Sequence, residues 1–384
     1  VDFGHGRSET TMVLRVGIVG GSMGGLFAAG LLRAAGHEVT VFERSARGLE
    51  GRGAGLVGQR ELYEILRLLG CEEAARVGVL ARERITFARN GSIAQRDATP
   101  QTQISWDYLY RMTRELLPEV AYRTGARVAR IDNSVTAATI VLDDGSQHRF
   151  DLAMAADGVG SLARGSVGNM TTASRYAGYV AWRGLIPETA LPAAAATVLS
   201  ERFAFYHMRG SHILGYLVPG PHGETERGWR RYNWVWYRQA PGRDALDQCL
   251  TATDGGVREF SLAPGDVPTS RRDALIADAH EHLPTPFALA VAAESTPFVQ
   301  AIFDYESTRM ARDRVALLGD AAFVVRPHTA MGVAKAAGDA MALASALARL
   351  PLEKALVTYE AERLAVGHRI AIHGQELGRP LTPA

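Results

Sequence analysis

Cysteine is nearly absent from this 384-residue sequence: Cys71 and Cys249 are the two present, and they stand far apart. Neither a cysteine metal clip nor a disulfide framework can be built from that pair. A reducing, cytoplasmic setting fits the composition best. Charge of one sign is equally lacking. The 42 basic and 41 acidic residues leave a formal charge of +1, which gives no electrostatic reason to expect nucleic acid or an anionic membrane as partner. Long hydrophobic runs are missing too. The apolar stretch near the start is interrupted by Arg15, Arg33 and several glycines, well short of the ~20 residues that a membrane span needs. The opening VDFGHGRSETT lacks the basic start and apolar core of a signal peptide. Met12 reads as the natural start. Internal repeats and low-complexity linkers are also absent. What remains is an ordinary globular balance, 47% hydrophobic and 22% charged, in a chain long enough for two intimately packed domains.

The first pattern is VLRVGIV at 13–19, a short β-branched run that reads as a buried strand. GGSMGG follows at 20–25, then LFAAGLLRAAG, apolar or small on every side, as in a helix packed on a sheet. Gly36 sits where a helix-ending glycine belongs, and HEVTVFER gives a second strand ending at Glu43. This is a β-α-β unit of the size of one mononucleotide-binding half. Leu62, Ile65, Leu66 and Leu69 mark an amphipathic helix ended by Gly70. A further helix is expected over 107–123. The stretch from Thr139 predicts a hairpin turning at Asp144-Gly145, then a buried strand into Asp157-Gly158. After about residue 175 the chain becomes strand-like and aromatic, in YVAWRGLI, FAFYHM, HILGYLVPG and RYNWVWYR. Helical patterning returns over 265–300. RVALLGDAA at 314–322 is another strand running into a Gly-Asp turn, and helices are expected over 330–350 and 353–370. The domain reading is therefore 13–174 and 266–370 for an interrupted nucleotide-binding domain, with 175–265 as an inserted antiparallel-sheet substrate domain.

Three motifs carry chemistry. At the glycine turn, a pyrophosphate can approach the N-terminus of a helix, where free amides and the helix dipole meet its charge. Gly20 permits the tight turn, Gly25 the close helix–strand packing, and Ser22 replaces the middle glycine of the usual pattern. Glu43, 18 residues past Gly25, can accept hydrogen bonds from ribose hydroxyls. The second motif is DGVGSLAR at 157–164, where Asp157 follows a strand and Gly158 allows backbone approach; taken alone, these residues read more readily as a common strand-to-helix turn with an Asp cap. The third is LLGDAAFVVRPHTAMG at 317–332. Gly319-Asp320 closes a strand, Asp320 can bond a ribitol or ribose hydroxyl, Pro327 sets a turn, and Gly332 opens a helix whose N-terminus can face partial negative charge.

In order and spacing these motifs resemble those of the FAD-dependent aromatic hydroxylases of the p-hydroxybenzoate hydroxylase fold, from about residue 14 to about 370. GGS in the first turn, GYVAWRG at 178–184 and RPHTAMGVAKA at 326–336 are most similar to the 2,6-dihydroxypyridine 3-hydroxylase group. The fold class implied is α/β: a Rossmann-like FAD-binding domain with an inserted antiparallel sheet and C-terminal helices. The cofactor implied is FAD, with NADPH or NADH as transient electron donor. The resemblance places Gly20, Ser22, Gly24, Gly25, Glu43 and Arg44 at the adenosine end, Asp157 with FAD and NAD(P)H, and Gly319 and Asp320 at the ribitol–pyrophosphate. Pro327, Met331 and Gly332 fall beside the flavin ring. Three positions depart from the family: Trp106 stands where many relatives have Arg, Ala330-Met331-Gly332 replaces Gly-Gln-Gly, and Ala334 replaces a common Asn. Each removes a polar hold on the flavin, which implies a weaker grip.

The reaction implied is NAD(P)H-dependent hydroxylation of a phenolic or heteroaromatic small molecule through a flavin C4a-hydroperoxide. A general base near the ring would raise its electron density. His328, in the flavin-side turn, is the candidate; His207 and His212 flank a Gly210-Ser211 turn and stand behind it. Trp182, Tyr206, Tyr216, Trp234 and Trp236 are candidates for an aromatic substrate pocket, although strands enrich such residues regardless of function. Arg183 and Arg326 are candidates for orienting an anion. The alternative enzyme is an NAD(P)H:FAD reductase on the same fold, supplying reduced flavin to a partner oxygenase. A non-enzymatic flavin carrier and a flavin-free NAD dehydrogenase stand further off. The chain reads as a monomer or homodimer.

Overall fold

The computed structural model describes residues 12–49, 51 and 55–383, so the reading of segment 1–11 lies outside the described residues. In chain order the elements used below are β1 (Arg15–Val19), α1 (Met23–Ala34), β2 (Glu38–Glu43) and β3 (Leu152–Ala155). They are followed by β4 (Arg175–Pro187), β5 (Arg202–Met208), β6 (Ser211–Val218) and β7 (Arg231–Gln239). The chain ends through β8 (Phe298–Glu306), β9 (Val315–Leu317), α2 (Gly332–Leu347) and α3 (Leu352–Gly378).

β1 pairs in parallel with β2 on one side and β3 on the other, and β9 lies parallel beside β3. Residues 122–124 and 311–312 form the two edges of this six-stranded sheet. β1 is buried at four consecutive positions because it is covered on both faces, which is why it shows no alternation. α1 packs against α2; its Leu26 and Phe27 are fully buried, each worth about 1.5–3 kcal/mol of apolar burial. The helix expected over 107–123 is shorter, Trp106–Arg114. Pro118 stops it, and Tyr122 is instead needed beside Val41 as the sheet's edge. The hairpin at Asp144-Gly145 forms as read.

The second sheet has nine strands, with β8, β4, β7, β6 and β5 adjacent in that order. It also takes in 261–262 and, from outside the 175–265 segment, 83–87, 93–97 and 323–324 beside β8, so strands from outside that segment complete it. The helices Thr269–His282 and Thr285–Ala292 cover one face. The other face meets the turn that carries His328, the C-terminal turn at Leu381 and the small sheet formed by 55–57, 79–81 and 101–105. Among the described residues no helix is long and apolar enough to cross a membrane.

Candidate functional site

The three motifs, far apart in sequence, meet along one groove at the carboxyl ends of β1, β3 and β9, the edge where open α/β sheets bind ligands. Gly20 has φ +102°, and a Cβ there would lie 2.3 Å from the Ala156 carbonyl oxygen and 3.0 Å from Asp157 Cα. The first and second motifs are thus in direct contact, and Gly20 admits no side chain. A Cβ on Gly25 would sit 2.0 Å from the Gly20 carbonyl oxygen, so the turn and the first turn of α1 touch backbone to backbone. Gly24 and Gly319 share one neighbour, the Ala336 methyl on α2, which joins the first and third motifs. Arg164 ties the second to the third: its Nε donates to the Ala321 carbonyl at 3.0 Å and a terminal nitrogen to the Asp320 carbonyl at 3.1 Å.

No side chain caps α1 at Ser22 or α2 at Met331, so two helix N-termini open onto the groove with their dipoles available to a ligand. Glu43 is buried at the end of β2, where it accepts from the Gly21 and Ser45 amides at 2.9 and 2.7 Å. A carboxylate has about four acceptor sites, so ribose hydroxyls can still be bound. Arg44 beside it is exposed. Asp157 Oδ2 accepts from the Leu162 amide at 2.9 Å, while its Oδ1 is buried without a partner. Burial pushes the Asp157 carboxyl up, against hydrogen bonds from Ser161 and Leu162. Asp320 opens into the groove, yet the surrounding walls desolvate it and push its carboxyl up, opposed by the Lys335 and Arg164 charges. Asp339 on α2 accepts from the Gly319 amide at 3.0 Å and from Arg363 at 2.7 Å, which holds the Gly-Asp turn against the helix. The groove thus has a cradle that a Cβ would fill, an unpartnered carboxylate oxygen and two uncapped helix ends. FAD fits this donor set: amides for phosphates, carboxylates for hydroxyls.

The 327–329 turn carries His328 onto the inner face of the large sheet. Tyr179 Oη and His328 Nε2 are hydrogen-bonded at 2.9 Å. The His328 ring centroid lies 4.5 Å from Tyr237 and 5.4 Å from His212. Burial, then the charges of Arg326 and Arg183, lower His328 to about 4. Burial, with His328 and His207, lowers His212 to about 3. Burial pushes the Tyr179 and Tyr237 hydroxyls up. At neutral pH the cluster is therefore two neutral imidazoles among protonated phenols. Ala330, next in the turn, adopts φ +53°, a left-handed conformation that costs an alanine roughly 1 kcal/mol or more. That explains why glycine is the easier residue there.

The aromatic candidates divide by pleat. Trp182, Trp236, Ile213 and Tyr206 are in register across β4, β7, β6 and β5, and with Trp234 they pack in the core beneath the 269–292 helices. Trp182, Tyr206, Trp234 and Trp236 thus lie on the face away from His328, because the side-chain period of a strand sends alternate residues to opposite sides. Tyr216 alone of the five is on the His328 face, its hydroxyl donating to the Gly55 carbonyl at 3.1 Å. Tyr179, His212 and Tyr237 take the places expected of the tryptophans. Of the two arginines, Arg326 is bound to Asp304 at 2.9 and 2.8 Å, which leaves Arg183. Tyr122 was not foreseen either: its hydroxyl donates to the Gly21 carbonyl at 2.9 Å and buttresses the glycine turn. Its place in a stretch read as helix gave no sequence signal for that role. Trp106 stacks on Tyr110 at 5.1 Å. Among the described residues no cluster of His, Cys, Asp and Glu is suited to a metal ion.

Comparison with known proteins covers the chain in sections. Residues 18–52 match a NAD(P)-binding Rossmann-like domain, 176–304 an FAD binding domain-like family, and 266–372 an FAD binding domain. The chain is 30% identical to the 2,6-dihydroxypyridine 3-monooxygenase of Paenarthrobacter nicotinovorans, over 92% of its own length and 88% of that protein's. It is likewise 30% identical to the 3-amino-4-hydroxybenzoate 2-monooxygenase of Streptomyces cremeus, over 91% and 83%. The solved structure of 2,6-dihydroxypyridine-3-hydroxylase from Arthrobacter nicotinovorans matches it with a TM-score of 0.90 at 28% identity, covering 98% of this chain and 94% of that one.

Proposed function

The chain belongs to the FAD-dependent aromatic hydroxylases, and from that premise we propose that it oxidises NADH or NADPH to hydroxylate a phenolic or heteroaromatic small molecule. The balance is one ring C–H, O₂, NAD(P)H and a proton giving ring C–OH, NAD(P)⁺ and water. FAD, when bound, would supply the redox chemistry that links NAD(P)H, O₂ and the ring. The chain's own residues supply holding, orientation and proton handling. The glycine turn, Glu43 and Asp320 would hold the dinucleotide, and the N-terminus of α2 would offer its dipole to negative charge on the ring.

The observation that carries the reading is the neutral His328–Tyr179 pair on the inner sheet face, one turn from the cofactor groove. With His328 lowered to about 4, its imidazole is unprotonated at neutral pH and free to take a hydroxyl proton from a substrate. Arg183 and Arg326 are two of the causes of that low value, so an anion bound beside them returns His328 toward ordinary basicity. The hydrogen bond to the Tyr179 hydroxyl orients the imidazole for that transfer. Activating the ring and binding it are in this way coupled.

The test is anaerobic mixing of the holoprotein with NADH or NADPH, with and without dihydroxypyridines and hydroxybenzoates, then exposure to air and mass analysis of the product. Substrate-accelerated bleaching of the flavin and one oxygen atom in the product are expected. Fast NAD(P)H oxidation without any ring compound, with release of reduced flavin, would instead establish the reductase reading and its partner oxygenase.

A further inference from the structure

Arginines around the sheet's inner face and the groove are tied down. Arg326 grips Asp304, Arg231 grips Asp107 at 2.8 Å, and Arg164 grips main-chain carbonyls. Arg183 differs. It makes no hydrogen bond or ion pair to any described residue, and its Nε is buried without a partner. It sits on β4 opposite Val235, between Ala181 and Leu185, on the face that carries Tyr237, Tyr216 and His328. Its charge reaches all three: it acts on the ionisation of His328, Tyr216 and Tyr237. Asn233, diagonal to it on β7 and fully buried, likewise leaves its amide Nδ2 unpartnered. Two donors, one of them charged, therefore stand unsatisfied on a face walled by aromatic rings. Desolvating such groups without partners is unfavourable, and a ligand carrying an oxyanion relieves it.

We propose that Arg183 is the substrate's anchor: it binds an anionic oxygen attached to a planar ring, either a ring-hydroxyl anion or a ring carboxylate, with Asn233 Nδ2 as the second donor. This rests on the reading of the same face as the hydroxylation site. Holding the anion there leaves the ring among Tyr237, Tyr216 and His328. It also offsets the positive charge that acts on His328, so occupancy of the anchor and basicity of the imidazole rise together.

The experiment is calorimetric titration of the FAD-loaded protein with two matched pairs: pentafluorophenol, ionised at neutral pH, against pentafluoroaniline, and benzoate against benzamide. The wild type is expected to prefer the anion of at least one pair, and the preferred pair identifies the oxygen. Arg183→Met is expected to weaken the preferred anion roughly 10- to 100-fold while changing its neutral partner less than about 3-fold. Arg183→Lys should keep an intermediate preference, with the flavin absorbance spectrum unaltered in both variants. Absence of an anion preference in the wild type, equal losses for both members of a pair, or loss of FAD from the variants would overturn the proposal, the last by placing Arg183 against the cofactor. Binding is read here without turnover. An anion preference removed by Arg183→Met in a protein that hydroxylates no ring compound would sink the monooxygenase reading and keep the anchor. Hydroxylation with the preference intact in Arg183→Met would do the reverse.

Discussion

On one face of the large sheet Trp182, Trp236, Ile213 and Tyr206 line up across four strands; one residue along each strand, Ala181, Tyr237, His212 and His207 line up on the other. The strands are the same and so is their aromatic character. The first row is sealed beneath two helices and packs as core. The second faces the 327–329 turn and gathers imidazoles, phenols and the unpaired Arg183. Aromatic content alone therefore does not mark a site. What distinguishes the inner face is charge and basicity: two imidazoles lowered by burial and an arginine without a partner, whereas the unpartnered donors of the outer face, Tyr232 Oη and Trp234 Nε1, are neutral.

That contrast can be broken from either side. The largest effect is expected from Trp236→Ala, which empties a fully buried position on the outer face. It should destabilise the fold by about 3–5 kcal/mol, read in denaturant melts, while the folded fraction keeps its flavin spectrum. A change in hydroxylation with stability intact would mean that the outer face is not merely core. His328→Ala should do the opposite, lowering hydroxylation roughly 100-fold with little change in the rate of anaerobic flavin reduction. Equal losses in both steps would make His328 a structural residue.

A smaller effect lies in pH. His328 and His212 fall to about 4 and about 3 in the folded chain, from an ordinary value near 6.5. Between those values the unfolded chain binds more protons, so these two residues make stability fall as pH drops from about 6.5 toward 4. Asp157 and Asp320, whose carboxyls are raised, act in the opposite sense, so the wild type alone does not isolate the effect. Arg183, Arg326, Tyr179, Tyr237 and His207 surround the pair and are unchanged by the test. Comparing denaturation midpoints at pH 7 and pH 4.5, the His212→Gln/His328→Gln variant should lose less stability than the wild type on acidification; an equal loss would show that the pair is not held neutral. The smallest effect is expected from Tyr206→Phe on the outer face, within about 0.5 kcal/mol and without change in turnover. A large loss of activity there would restore Tyr206 to the pocket.

Much of the groove was legible in the chain itself. Gly20, Gly25, Glu43 and Gly319-Asp320 are local signals, because a tight turn, a close backbone approach and a strand-end carboxylate each require a residue type at a set spacing. Their convergence was inferred from order, and the contact of Gly20 with Ala156 and the shared Ala336 methyl bear the arrangement out. The inner face of the large sheet was much less legible. The period of a strand puts Trp234 and Trp236 on one side and Val235 and Tyr237 on the other, but nothing in a strand's own sequence says which of its faces meets the cofactor. Tyr122 was hidden by a helix reading that Pro118 cuts short. Likewise Arg183 and Arg326 were equal on paper, and they separated only when Asp304, 22 residues before Arg326 in the chain, proved to be the partner of one of them.

The sequence by itself determined the β-α-β unit, the interrupted nucleotide-binding domain and the dinucleotide cradle, since those follow from periodicity and from backbone conformations open to few residue types. Tertiary structure alone decided which side of the aromatic sheet is sealed as core and which meets the turn that carries His328. That choice depends on which surfaces the helices 269–292 and the 319–332 segment come to cover, and burial by distant segments is a property of the folded chain rather than of any window within it.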